Sequence, residues 1–332
     1  LLIRGILAGF NRFATPRAFR VCCKRAVRTF MVFALLSFFY PLSAQNLEPQ
    51  ISRYLVEATD SELSYERAKL AFDRIIDPDV DEAAVVAQID QLAAAAEEIA
   101  ASGSDIDKLK AVRQVIYEPG PWNDHRPFVY DQDDPYGRDL RNKLLATYLD
   151  TRRGNCVSMP ILQLIIAERL GLNVSLSTAP QHVFMRYTNP ETRRSIAIEA
   201  TSGGHPAHPR EYAKLGVTDA QVDSGIYLAT LSKRESIAVI ASTVSEWLME
   251  QHRFEDAIAV TDILIEHYPK DVHAVLLRGA AYGELIRTEF MNPYPVPAMI
   301  PPPLRPRYQM LAARNAAAFE QAEAWGWLPS QD

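Results

Sequence analysis

Three side chains that can build a thiol-based acyl-transfer site follow one another along this chain: Cys156, His182 and Glu199. Cys156 comes after a glycine and an asparagine and opens an apolar stretch, Val157–Leu170, that reads as a helix stopped by Gly171. Pro160 does not veto that helix, because the first turn has no intrahelical acceptors for its N–H groups. A helix N-terminus carries unpaired N–H groups and a positive partial charge, which favour thiolate over thiol. The thiolate is the nucleophile; a nearby imidazole can take its proton and later return it, and a carboxylate on the other ring nitrogen fixes that imidazole. Cys156 can equally be read as a small buried apolar side chain. Singly, a histidine or a glutamate in a strand is usually a packing or surface residue.

Geometry makes the set more specific. His182–Tyr187 and Ser195–Thr201 alternate as strands do and flank a polar loop, Thr188–Arg193. A hairpin in which Tyr187 faces Arg194 sets His182 directly opposite Glu199 on one face, within hydrogen-bonding reach. A slip of one residue would separate them onto opposite faces.

Other side chains also offer chemistry by type. The Cys156 backbone N–H is one oxyanion donor, and Asn155, Gln181 and Trp122 are alternatives for a second, left open at this level. His205-Pro-Ala-His208 with Glu199 offers zinc ligands by type, but the spacing is no recognised metal motif and the prolines argue for an irregular loop. Neither a metal nor a cofactor is expected. His125 reads as a loop residue at the mouth of a cleft. Met159, Met185, Trp247, Phe254 and Tyr268 read as core.

The elements that must position these groups divide the chain into four stretches. Residues 1–44 hold seven basic and no acidic side chains. The apolar run Phe30–Leu42 and Ser43-Ala44-Gln45 close this stretch. This pattern predicts a secretory signal cleaved after Ala44 and a periplasmic or secreted product, with an uncleaved anchor as the alternative. The run is 13 residues, short of the ~20 needed for a stable span. Residues 45–117 predict helices: Leu63–Ile76, an alanine-rich Glu82–Ala101, and Ile106–Tyr117 capped by Ser104-Asp105. Residues 118–232 hold the candidate site. They include an aromatic, acidic loop to Gly137, a short helix at Leu140–Leu149, and a glycine-containing loop at Thr201–Pro209. Residues 233–332 are helical, with Phe254, Ala257, Pro269, Gly279 and Tyr282 at the spacing of about one and a half tetratricopeptide repeats. A Pro-rich insertion, 293–306, precedes a last helix at Tyr308–Ala324. So few repeats seldom stand alone, so this tail is expected to pack on the rest.

Charge and cysteine count narrow the function. The chain carries −6; without residues 1–44 the balance is −13. An acidic protein lacking a basic block is a poor partner for nucleic acid or anionic lipid. With Cys22 and Cys23 in the segment to be removed, Cys156 stands alone and has no internal disulfide partner.

Arg153-Gly-Asn-Cys-Val-Ser-Met-Pro160 and Ala167-Glu-Arg-Leu-Gly-Leu172 resemble bacterial transglutaminase-like proteins of the SirB type. Ala179-Pro-Gln-His-Val-Phe-Met-Arg186, Ile198-Glu-Ala-Thr-Ser-Gly-Gly204, Asp77-Pro-Asp and Gln88-Ile-Asp-Gln-Leu-Ala93 extend the similarity over most of the chain beyond residue 44. The resemblance implies an α+β, papain-like core with the site order Cys, His, Asp; this chain has Glu199 where that order has Asp. SirB-type relatives often lack the cysteine, and here it is present. The expectation is an exported cysteine-dependent acyltransferase or hydrolase acting on an amide of a peptide or protein through a Cys156 thioester. The tetratricopeptide-like tail would then be available to a protein partner. The alternative is a non-catalytic scaffold that keeps the fold.

Overall fold

Serine and aspartate side chains set where the first helices begin. The computed structural model describes residues 62–328, together with Ile51, Leu55, Ala58 and Thr59, so the expected signal segment lies outside the described residues. Helix α1 (Tyr65–Ile76) starts at Ser64, whose hydroxyl accepts the Arg67 N–H. Asp81 does the same for α2 (Glu82–Ala100), and Ser104 with Asp107 forms a reciprocal capping box for α3 (Asp105–Tyr117). The buried positions of α2 are Val85, Ile89, Leu92, Ala93, Ala96 and Ala100, the stripe that its 3.6-residue spacing implies.

The single helix expected over Leu140–Leu149 is two pieces, a 3₁₀ turn at Leu140–Lys143 and α4 (Leu145–Thr151). A buried ion pair on α1 explains the break. Lys69 bonds Asp73 and also donates to the Lys143 carbonyl at 2.8 Å, while Asp73 Oδ2 accepts the Leu145 N–H at 2.9 Å. These are the backbone groups a continuous helix would use for itself. Arg152, at φ 60°, then turns the chain out of α4. The short strand β1 (Val129–Tyr130) pairs in parallel with β2 (Arg153–Gly154), just before Cys156.

Helix α5 (Ser158–Arg169) is apolar all round, and Ser158 through Ala167 are all buried, which makes it the centre of the core. Each of its large aliphatic side chains contributes roughly 1.5–3 kcal/mol by burial, as an upper bound. An antiparallel meander packs beside it: β3 (Val174–Ala179), β4 (His182–Thr188), β5 (Ser195–Glu199) and β6 (His205–Ala207), in that order. Strand β3 was not foreseen, and β6 replaces part of the loop expected at Thr201–Pro209. Leu176, Met185, Tyr187 and Ile198 join the main core with α5. Ala179, Phe184 and Ala197 belong to a second cluster under Tyr212, which lies on the short helix α6 (Pro209–Ala213). Helix α7 (Asp219–Ser224) follows.

The remaining helices are α8 (Lys233–Glu250), α9 (Phe254–His267), α10 (Val272–Ile286) and α11 (Arg305–Ala324). Helix α8 lies against α1 and β3. Its Ile237, Ile240, Val244 and Leu248 are in the same core as α5. The C-terminal helices therefore continue the core and do not stand apart from it. Glu246 on α8 adds a polar tie, bonding Lys143 and, at 2.9 Å, His273. Burial works against its ionisation, but Lys143 and His273 prevail and hold its carboxyl at about 2. Among the described residues no helix is long and apolar enough to cross a membrane.

Candidate active site

Asn155 shapes the turn that presents the thiol. Its Oδ1 accepts the N–H groups of Val157 and Ser158 at 2.9 and 3.1 Å, and its own N–H donates to Ser158 Oγ at 3.2 Å. Asn155 thus caps α5 from two residues before Val157, which has no side-chain cap of its own. Its Nδ2 donates to the Asn142 carbonyl at 2.9 Å. Asn155 is thus a structural cap, tied down through both ends of its amide. Cys156 follows in the turn, 5 % exposed. Its Sγ–H reaches the Gln181 carbonyl at 3.5 Å.

That carbonyl is aimed by a tight hairpin. Ala179 pairs with His182 across only Pro180 and Gln181, and Gln181 takes the left-handed conformation at φ 53°. Such backbone is costly for a residue with a Cβ and is held by its surroundings. His182 begins β4, and its Nε2–H donates to Glu199 Oε2 at 2.7 Å. The other Glu199 oxygen, Oε1, accepts from Thr201 N–H at 3.1 Å and Thr201 Oγ1–H at 2.7 Å. Nδ1 is the ring nitrogen that Glu199 does not engage, and Cys156 lies near enough to His182 to favour its protonation.

The register differs from the one expected. Thr188 pairs with Ser195 and Met185 with Ile198, two residues away from a hairpin in which Tyr187 faces Arg194. The Asn189 side chain causes this. Its Oδ1 accepts the N–H groups of Glu191 and Thr192 at 3.0 and 2.8 Å, closing the loop one residue later than assumed. An even slip keeps every side chain on its face, so His182 and Glu199 still meet, as diagonal rather than direct neighbours. Diagonal pairs are farther apart, and the extra methylene of Glu over Asp provides the reach.

The electrostatics favour a charged pair. Burial opposes protonation of His182, but its hydrogen bonds and charge interactions with Cys156 and Glu199 overcome this and raise it to about 9. Burial likewise opposes ionisation of Glu199, and bonds from His182 and Thr201 outweigh it, holding the carboxyl below its usual value. The His182 ring is flanked by Phe184 and Tyr212, whose own rings stack at 4.3 Å. A cysteine, a histidine and a glutamate from a helix start and two strands are thus joined in one constellation.

Residues 83–242, which carry all three side chains, match the family model described as the Transglutaminase-like superfamily. This segment is a transglutaminase-like domain. The chain is 29 % identical over 140 residues to a UPF0162 protein of Buchnera aphidicola subsp. Acyrthosiphon pisum, a match covering 41 % of this chain and 51 % of the relative. It is 23 % identical over 185 residues to a UPF0162 protein of Xylella fastidiosa, covering 54 % of this chain and 62 % of the relative. The chain therefore spans only about half to three-fifths of the length of these relatives. No solved structure matches.

The other sequence candidates lie around the transglutaminase-like domain in lesser roles. The Cys156 N–H points to the Pro135 carbonyl at 3.4 Å. Trp122 packs its ring on Gly120 and the main core, and its indole N–H is buried without a partner. The Gln181 contribution is its carbonyl, an acceptor. His205 pairs with Glu199 through the strand ladder and its side chain is exposed. His208 Nδ1 accepts the Arg210 N–H and caps α6, so it is a structural residue. Among the described residues no cluster of ligands for a metal is formed. His125 is exposed on its loop at φ 55°. Met159 and Met185 are core, as are Phe254 and Tyr268, while Trp247 is half-buried against them. A cleft of about 620 Å³ opens at the other end of β4, lined by Thr188, Ser195 and Lys233. It does not include Cys156 or His182, and the chemistry is assigned to the residues, not to that cleft. Thr201, which holds Glu199, carries no motif that sequence reasoning could have used.

Proposed function

We propose that the chain is a cysteine-dependent acyltransferase or hydrolase that cleaves an amide of a peptide or protein through a thioester on Cys156. The single observation that carries this reading is His182, held through Nε2 by Glu199 at 2.7 Å with Nδ1 left for the Cys156 thiol. Proton transfer from Sγ to Nδ1 gives a thiolate beside an imidazolium that the Glu199 charge stabilises. The thiolate attacks the acyl carbon, and the imidazolium returns its proton to the departing nitrogen. Water or an amine then resolves the thioester. Similarity to SirB-type proteins supports the reading, and the basic and apolar composition of residues 1–44 supports its export. The helices after residue 233 are offered as the surface for a protein partner.

Reaction with iodoacetamide at pH 6 tests it, with Cys22 and Cys23 replaced by serine so that label reports Cys156. The folded protein should react much faster than a model thiol, His182→Ala should remove most of that advantage, and Cys156→Ser should abolish labelling. The burial of Cys156 favours a second reading, a scaffold that keeps the fold without turnover. A thiol that reacts only in denaturant, indifferent to His182, decides for the scaffold.

A further inference from the structure

Any acyl transfer at Cys156 needs donors for the oxygen that becomes negative when the carbonyl is attacked. We propose that the Tyr130 hydroxyl and the Cys156 backbone N–H are those donors, and that the Pro135 carbonyl occupies their place in the resting protein. The inference rests on the acyl-transfer reading above. Its basis is one convergence. Tyr130 Oη–H reaches Pro135 O at 3.4 Å, and Cys156 N–H reaches the same oxygen, also at 3.4 Å. Two donors from different elements thus address a single carbonyl oxygen beside the thiol, the arrangement required around an oxyanion.

Both contacts are long for hydrogen bonds between these groups, whose usual lengths are about 2.7–3.0 Å. The incumbent carbonyl is therefore a weak partner. An incoming oxyanion, fully charged, gains more from the same two donors than Pro135 does. The donors themselves are fixed. Tyr130 pairs with Gly154 in the parallel ladder, and Val129 N–H and Asp131 N–H bond the carbonyls of Arg152 and Gly154 at 2.8 and 2.7 Å. The phenol thereby sits on the strand next to the one that delivers the thiol. Burial, with the Glu199 carboxylate adding to it, raises the Tyr130 hydroxyl above its ordinary value, so it stays protonated and able to donate.

Residues 131–137 carry Pro135 as a built loop. Arg153 bonds both Asp131 and Asp133 at 2.6 Å, and Asp134 collects Arg138 N–H and Asn142 Nδ2 at 2.7 and 2.8 Å. Gly137 closes it at φ 61°, where an added Cβ would lie 2.7 Å from Asn155 Nδ2. That close approach holds the end of the loop to the residue that caps α5, so only the Pro135 carbonyl between the held ends has to turn aside for the substrate oxygen. In the reaction the Cys156 sulfur bonds to the acyl carbon and the carbonyl π pair moves onto oxygen. Tyr130 O–H and Cys156 N–H then replace Pro135 O with that oxygen. On collapse the pair returns, the C–N bond breaks, and the leaving nitrogen takes the proton held on His182.

Two probes separate this assignment from thiol activation, using the full chain with Cys22 and Cys23 as serine. Iodoacetamide alkylates by displacement at a saturated carbon and forms no oxyanion, whereas p-nitrophenyl acetate acylates through one. Tyr130→Phe should leave the iodoacetamide rate within about twofold of the parent, which also reports an intact site. It should slow p-nitrophenolate release by roughly 10²-fold, the usual loss for one such donor. Equal slowing of both reactions, or acylation at the parent rate, overturns the assignment while leaving the thiol reading in place. A parent thiol inert to iodoacetamide overturns both.

Discussion

Glu199→Gln is the most exacting test of the site, because it changes one charge and almost no volume. His182 is raised from 6.5 to about 9, which corresponds to roughly 3 kcal/mol in favour of the imidazolium. Cys156 and Glu199 supply that preference together against burial. Because they also offset burial, giving Glu199 half of their joint contribution makes its loss at least ~1.5 kcal/mol, or about tenfold or more in the population of the thiolate–imidazolium pair. The amide adds a mismatch. Glu199 accepts from His182 on one oxygen and from both donors of Thr201 on the other, whereas glutamine has a single acceptor oxygen for the two sides. In the Cys22/Cys23-to-serine background, alkylation by iodoacetamide at pH 6 should fall about tenfold or more. The His182 ring protons, followed by NMR, should titrate at least one pH unit lower than in the parent. An unchanged rate together with an unchanged titration would refute the reasoning, since the carboxylate would then not support the charge on His182.

Other perturbations have definite expected outcomes. Thr201→Val removes the 2.7 Å hydroxyl bond to Glu199 and keeps the N–H bond; alkylation at pH 6 should slow a few-fold, and Thr201→Ser should restore it. Asn155→Ala uncaps α5 and releases the Asn142 carbonyl, so denaturant unfolding should show a loss of about 1–2 kcal/mol. The pH dependence of stability follows from the two shifts. Because His182 is raised, its contribution is complete below pH 6.5 and is lost as pH rises through about 9. Because Glu199 is lowered, its contribution is complete above pH 4.5 and is lost as pH falls through its depressed value. The gap in Tm between the parent and Glu199→Gln should therefore be widest between pH 4.5 and 6.5 and close above pH 9, measured by calorimetry across that range.

How far the sequence carried depended on whether a feature is written in local pattern or in contacts between distant segments. The caps at Ser104 and the stripe along Glu82–Ala100 are local, and α2 and α3 lie where their residues place them. The break at Leu144 is not local. It depends on Lys69 and Asp73, some seventy residues earlier, claiming the Lys143 carbonyl and the Leu145 N–H. Strand β3 was passed over although Val174-Ser-Leu176-Ser alternates as a strand does; Ser175 and Ser177 are buried too, so the strand is covered on both faces. At the site, side-chain period was enough to put His182 and Glu199 on one face, but not to fix their register. The register was decided by Asn189 capping its own loop, and an even slip forgave the error. That slip also accounts for the glutamate. A direct cross-strand pair would suit the shorter aspartate, whereas a diagonal pair needs one more carbon to bring the carboxylate to 2.7 Å from Nε2. Residue type and register are thus one choice, read from two ends of the same hairpin.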